Sequence, residues 1–378
     1  MDTLSLRAAL IDNYITPNDV SVKSLLSQFP VTPPGSMRAL LSKMSLPLTM
    51  GQGGPFIPED HAFHFNNKWA FTSHDIEELR KYLINAIEKV ILSYIRDKIK
   101  AIHADIGEMT TSGLVSYTVG IPNQIINIIM AKITSYVFDL FNIDFGIASL
   151  GKYGRCGGMA FAGLDFYLAH WPVDKRFGKE TPIDGALHDY IWIRLLDSFK
   201  LNLPDFISIL ADLYYWPAIC KFANTAIGAG IGSIGSVVGA AIGAVVGSNV
   251  NIISCGGADK VFARTKSEWN KLIGILGKEP ARPIGIIYGD TKIPWEQHQV
   301  LAIGFSDNSP ARRKLRIWDN NDGNRYRDLY MDFSGTELNV TQIGQAGNQI
   351  NSSHIIKAFF CEQYTPKTPP EILHLSQP

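Results

Sequence analysis

The spacing of apolar residues is helical from Ser73 onward and becomes strand-like in the last quarter of the chain. From Ser73 to Tyr94, apolar side chains recur at helical intervals, which predicts a long amphipathic helix. Three acidic residues fall in its first turn, where the helix dipole favours negative charge. A second apolar helix is predicted after Pro122, and further helix over residues 185–222, with breaks at Pro204 and Pro217.

Strand-like segments begin after residue 280. The runs "RPIGIIYG", "HQVLAIGF" and "KLRIWD" are short, apolar and bounded by turn residues, as expected of strands in a sheet. A helical run, "TKSEWNKLIGIL", precedes them. Helices followed by strands predict an α+β fold rather than alternating α/β units.

A glycine-rich apolar segment, residues 226–247, lies between the helices predicted up to residue 222 and the helical run that precedes the strands. Within it, Gly235, Gly239, Gly243 and Gly247 recur at every fourth position, which leaves one helical face without side chains. Such a face suits close helix–helix contact. The segment is predicted to form either a tightly packed helix pair or a marginal membrane hairpin, so membrane contact is one expectation for this protein.

Composition and charge exclude several classes of function. Lys plus Arg and Asp plus Glu both number 35, so no net positive field favours nucleic acid. The four cysteines are far apart, which argues against a disulfide framework and a zinc site. The first residues lack the apolar core of a Sec signal peptide, so we expect a cytoplasmic protein or one exported by another route.

One cysteine has an unusual setting. In "KYGRCGGMAFAGLDFYLAHWP", residues 152–172, Cys156 precedes two glycines at the predicted start of a helix that ends before Pro172. A helix N-terminus stabilises a thiolate, which is the nucleophilic form of cysteine. The alternative interpretation is a small side chain packed behind a Gly-Gly turn.

A histidine and an aspartate are predicted to meet near the end of a hairpin. If "HQVLAIGF" pairs with "KLRIWDNN" so that Phe305 faces Lys314, then His298 and Asp319 become diagonal neighbours on one face. A histidine oriented by an aspartate and facing a cysteine at a helix start would provide thiol catalysis. Individually, His298 also suits an ordinary strand end, and Asp319 also suits a turn.

These segments resemble papain-like cysteine peptidases, most closely the branch that contains bacteriocin-processing peptidases, and also a group of uncharacterised bacterial proteins. The resemblance covers residues 150–200 and 262–335. It implies a papain-like fold with Cys156 as nucleophile, His298 as general base and Asp319 as its orienter. It further implies a peptide or amide substrate and neither a metal nor an organic cofactor. The glutamine that such peptidases carry shortly before the cysteine is absent from "SLGKYGRC".

The predicted organisation follows from these assignments. Residues 1–60 form an irregular arm and residues 61–145 a helical region. Residues 146–365 form the papain-like catalytic domain, interrupted by the glycine-rich insertion at 222–258, and residues 366–378 form a C-terminal tail. Two functions from other classes remain open at this point. One is a catalytically inactive papain-like binding module, and the other is a membrane-active bacterial toxin or effector that works through residues 226–247.

Overall fold

A computed structural model describes residues 54–79, 154–173, 178–214, 217, 257–311, 313–350, 352 and 354–375 of the chain. The chain divides into two compact units. One unit comprises residues 1–30, 87–146 and 208–260, most of which lie outside the described residues. The other comprises residues 31–86, 147–207 and 261–378, and it contains the sheet and every candidate catalytic residue.

The described elements confirm an α+β protein. The helices are α1 (Pro58–His61), α2 (Cys156–Leu168), α3 (Gly185–Tyr214), α4 (Ala258–Leu276) and α5 (Glu371–Leu375). The strands are β1 (Arg282–Tyr288), β2 (His298–Asp307), β3 (Arg313–Trp318), β4 (Tyr326–Asp332), β5 (Asn339–Gly344) and β6 (Ile356–Cys361). Two 3₁₀ turns, Pro294–Glu296 and Asn320–Asp322, precede β2 and follow β3.

The six strands form one antiparallel sheet in the order β5-β4-β3-β2-β1-β6. Every connection between sequential neighbours from β1 to β5 joins adjacent strands, and β6 returns to the opposite edge beside β1. The three predicted strands are confirmed as β1, β2 and β3. They occupy neighbouring positions in the sheet, with β2 between β1 and β3.

Side-chain alternation along β2 divides the hydrophobic core into two clusters. Leu301 belongs to the cluster that includes α2, whereas Val300 and Ala302 belong to the cluster that includes Trp269 of α4. Each face of the sheet is therefore covered by a helix, because successive strand residues point to opposite faces. Residues 56–69, which the sequence analysis assigned in part to an irregular arm, supply Phe63, among other aromatic residues, to the α2 cluster.

The register of the β2–β3 hairpin differs from the predicted one at its turn end. Phe305 pairs with Leu315, not with Lys314, which faces Ser306 instead. The predicted pairing is therefore wrong there by one residue. An irregularity between Ala302 and Gly304 absorbs that residue.

Helix predictions differ in outcome along the chain. Residues 73–79 are helical, so the helix predicted from Ser73 begins as expected, and its continuation lies outside the described residues. The helix predicted in the cysteine segment is confirmed as α2. The predicted break at Pro204 is wrong, because α3 continues through this proline to Tyr214. Proline deprives the carbonyl four residues earlier of its helical partner, and that residue, Lys200, lies on the exposed side of the helix.

Two predictions fall on residues that the structure does not describe. The helix after Pro122 lies outside the described residues, and so does the glycine-rich segment 226–247 with Gly235, Gly239, Gly243 and Gly247. Both stay predictions. The C-terminal tail predicted over 366–378 contains α5, and Leu373 of that helix is buried in the α2 cluster.

The packing of α2 gives a stability prediction with a matched control. At Gly158, a Cβ atom would lie 2.2 Å from the backbone oxygen of Ile191, so Gly158→Ala is expected to destabilise the fold by ~1–3 kcal/mol. At Gly274 of α4, a Cβ atom meets nothing within 4 Å. Gly274→Ala is therefore expected to stabilise by up to ~1 kcal/mol through helix propensity alone. Urea unfolding of both variants measures the contrast, and equal effects would contradict the close α2–α3 approach.

Candidate active site

Cys156 is the first residue of α2 and is half-buried. The first backbone N–H groups of a helix have no acceptor within the helix, and with the helix dipole they favour negative charge at this end. The glycines after Cys156 allow α2 to approach its neighbours closely. A Cβ at Gly157 would lie 2.0 Å from Oε1 of Gln299 in β2. The Gly-Gly pair thus fixes the cysteine beside β2.

The arginine before the cysteine has a structural role. The guanidinium of Arg155 is fully buried, lies 4.7 Å from the ring centre of Trp69 and 4.8 Å from that of Trp192, and is 3.6 Å from an Asp75 carboxylate oxygen. Burial lowers the pKa of Arg155 to about 10, against the raising effect of Asp75. This side chain anchors the α2 N-terminus through aromatic and ionic contacts.

His298 is the first residue of β2 and is buried. Its Nε2 atom lies 2.8 Å from Oδ1 of Asp319, and its ring stacks on Tyr288 of β1 with the ring centres 6.4 Å apart. The Cys156 side chain is among the groups that raise the pKa of His298, which places the two side chains near one another. Because Asp319 engages Nε2, Nδ1 is the ring nitrogen left to interact with the thiol.

Asp319 both orients the histidine and opens a turn. Oδ1 accepts the backbone N–H of Asn321 at 3.0 Å, which caps the 3₁₀ turn, and Oδ2 lies 3.0 Å from Nη1 of Arg327 in β4. The two interpretations offered for this residue from sequence are therefore compatible. The carboxylate is held by three partners, so its orientation toward His298 is fixed.

The surroundings of His298 and Asp319 favour the imidazolium and the carboxylate forms of these two side chains. Burial alone lowers the pKa of His298, but the nearby Tyr288, Asp319 and Cys156 outweigh it, so this pKa lies well above its usual range. Burial opposes the Asp319 carboxylate, yet His298, Arg327 and the Asn321 N–H outweigh that effect and lower its pKa to about 2. An imidazolium paired with a carboxylate is the stable arrangement at neutral pH.

Sequence reasoning missed three asparagines that join the parts of the site. Asn320 is fully buried, and its Nδ2 donates to the backbone oxygens of Cys156 and Gln299, each at 3.0 Å. Asn67 accepts the Arg155 N–H at 2.6 Å and donates to Oδ1 of Asn321 at 3.2 Å. The only sequence signal was the polar run "DNND" that begins at Asp319, and nothing singled out Asn67.

The other described cysteine, Cys361 at the end of β6, is a poor candidate for chemistry. It is buried, and burial together with the nearby Glu268 raises the pKa of its thiol to about 12. Cys220 and Cys255 lie outside the described residues. Among the described side chains, no group of three or more His, Cys, Asp or Glu is placed to hold a metal ion.

Comparisons with known protein families, with characterised proteins and with solved structures gave no match to this chain. The functional argument therefore depends on the geometry of Cys156, His298 and Asp319. Within the part of the chain that the structure describes, none of the helices has the length and apolar character needed to cross a membrane.

Proposed function

We propose that this protein is a papain-like thiol hydrolase or acyl transferase that acts on an amide or peptide bond. One observation carries the proposal: a buried His298, bonded to Asp319 at 2.8 Å, lies near Cys156 at a helix N-terminus, where Asn320 donates to the backbone oxygens of both Cys156 and Gln299. Nucleophile, base and orienter in sequential contact form the arrangement that activates a thiol for acyl chemistry. The helix–sheet order, with cysteine on a helix and histidine on an antiparallel strand, supports the papain-like assignment.

In this mechanism, His298 and Cys156 form an imidazolium–thiolate pair. The sulfur attacks the carbonyl carbon, and the negative charge that develops on the carbonyl oxygen is stabilised by backbone N–H groups at the start of α2. The imidazolium then protonates the leaving nitrogen as the C–N bond breaks, which leaves a thioester on Cys156. Neutral His298 takes a proton from water or from an acceptor amine, whose attack on the thioester regenerates the thiol.

A diverse peptide library tests hydrolysis across many sequences at once. The full-length protein is incubated with the library near neutral pH, and newly formed N-termini are identified by mass spectrometry. We expect cleavage by the wild type and by Cys361→Ala, and none by Cys156→Ser. Including an amine nucleophile such as hydroxylamine reveals acyl transfer as hydroxamate products. If neither cleavage nor transfer occurs while Cys156 reacts normally with alkylating reagents, the inactive-binding-module alternative replaces this proposal.

Thiol reactivity is predicted to differ sharply between the two described cysteines. A thiol with a pKa of about 12, as for Cys361, is ionised to roughly one part in 10⁴ at pH 8, and only the thiolate reacts. Iodoacetamide is therefore expected to label Cys156 first, and the His298→Ala variant to slow that labelling. Peptide mapping against time measures both rates. Faster labelling of Cys361 than of Cys156 in the folded protein would contradict the assignment of the nucleophile.

A further inference from the structure

A polar groove opens beside the candidate catalytic histidine. It encloses about 720 Å³ and is lined by four parts of the chain, residues 64–66, Lys179, residues 321–327 and residues 344–350. Asn321 lies in its wall, and the Nδ2 atom of this asparagine is 3.3 Å from Nε2 of His298. Arg327, also in the wall, contacts Asp319 at 3.0 Å. The groove therefore begins on the Asp319 side of His298, whereas Cys156 lines a separate pocket with Gln297 and Gln299.

The charges in this wall are unbalanced. It contains three permanently cationic side chains, Lys179, Arg325 and Arg327, and one carboxylate, Asp322. Arg327 neutralises Asp322 through two bonds of 2.6 and 2.9 Å. Among the described residues, neither Lys179 nor Arg325 forms an ion pair, and both are exposed. Two positive charges are thus available to a ligand.

The rest of the wall offers hydrogen-bonding groups rather than negative charge. Asn66, Asn324, Gln345 and Asn348 line it, and Gln345 is bonded to Glu59, which is not itself a lining residue. Amide side chains suit a peptide backbone, and free cations suit carboxylates. A cleft lined by one sign of charge also raises the local concentration of oppositely charged ligands.

Building on the proposed function, we propose that this groove binds a carboxylate-bearing segment of the peptide substrate, with Lys179 and Arg325 as the residues that select it. The carboxylate comes from acidic side chains flanking the scissile bond or from a free C-terminus. Asn321 and Arg327 place that segment next to His298. Specificity for acidic peptides would then depend on this groove and not on the reactivity of the Cys156 thiol.

Equilibrium binding tests this inference separately from catalysis. The Cys156→Ser protein is titrated into three fluorescein-labelled peptides of equal length: one with internal glutamates and an amidated C-terminus, its glutamine counterpart, and the glutamine counterpart with a free C-terminus. Fluorescence anisotropy at low salt is expected to show at least one carboxylate peptide bound ~10-fold more tightly than the neutral one, since such steering is strongest when unscreened. The preference should shrink at about 0.5 M salt, where the Debye length falls to a few ångströms.

Variants of the lining residues test whether the preference for carboxylate peptides arises in the groove. Lys179→Gln with Arg325→Gln, added to the Cys156→Ser protein, is expected to abolish the preference, while Lys278→Gln, an exposed lysine just after α4, is expected to retain it. Equal affinity for all three peptides would overturn the inference, and so would an equal loss in the Lys278→Gln control. Selective binding combined with no cleavage by the wild type would refute the proposed hydrolase and leave this inference standing. The two peptides that carry carboxylates distinguish side-chain from C-terminal recognition.

Discussion

The His298→Ala variant is expected to lose at least ~10³-fold in kcat/KM on any peptide that the wild type cleaves. In the folded protein, the imidazole is bonded to Asp319, and it is the titratable side chain that the proposed mechanism places beside the Cys156 thiol. Without it, the proposed mechanism loses both the base that takes the thiol proton and the proton donor for the leaving nitrogen. Initial rates at saturating and limiting peptide concentrations measure the loss.

A matched variant and a folding test make this result interpretable. His374 of α5 is exposed and far along the chain from β2, so His374→Ala should behave as wild type. Because His298 is buried, circular dichroism and urea unfolding must first establish that the His298→Ala protein is folded. Full activity in a folded His298→Ala protein would remove the residue from the mechanism and leave Cys156 without an identified base.

The sequence correctly predicted that His298 and Asp319 lie close together, because two errors in the assumed strand register cancelled. One was the pairing near the turn, and the other was the omission of a bulge. The assumed pairing of Phe305 with Lys314 is off by one residue, and a uniform slip of that size would have placed the two side chains on opposite faces. The irregularity between Ala302 and Gly304 restores Leu301 opposite Trp318, which is the pairing that the assumed register also gives. The strand register therefore differs between the turn end and the far end of the hairpin. A bulge separates the two registers, and no local sequence pattern predicts it.

The remaining features depend on contacts between distant parts of the chain. Asn67 is 88 residues before Arg155, to which it is hydrogen-bonded, and it follows a segment whose prolines suggested an irregular arm. The nearby Phe63 side chain packs on Trp318 with ring centres 6.2 Å apart, which secures this part of the chain to the sheet. Apolar runs with their bounding glycines, prolines and turn residues located α2 and β2, but such local signals carry no information on which loop closes over them.

Asp319→Asn is expected to weaken the enzyme less than His298→Ala does. Asparagine is similar in size to aspartate and retains an oxygen that can accept the Asn321 N–H, so the turn should survive, but its amide carries no charge to stabilise the imidazolium or to pair with Arg327. We expect a loss of ~10²–10⁴-fold in kcat at neutral pH, by analogy with orienting carboxylates in triads generally. Asp332→Asn, the same chemical change at the last residue of β4, where the carboxylate accepts the Ser334 N–H, should leave the rate unchanged.

The pH profile distinguishes this orienting role from a merely structural one. The pKa of His298 lies well above its usual range, so the imidazolium, and with it the alkaline limb of the rate profile, should persist above the ordinary histidine value of about 6.5. Removing the Asp319 charge lowers that pKa, so the alkaline limb of Asp319→Asn should move to lower pH.

The shifted pKa values of His298 and Asp319 also make the free energy of unfolding depend on pH. The raised histidine pKa contributes stability that is fully present below about pH 6.5 and is lost as the pH rises through the folded-state value, whereas the Asp319 carboxylate contributes stability that disappears as the pH falls toward about 2. Rate profiles and urea unfolding from acid to alkaline pH measure both effects. An alkaline limb at the same pH in wild type and Asp319→Asn would mean that the carboxylate does not act through His298.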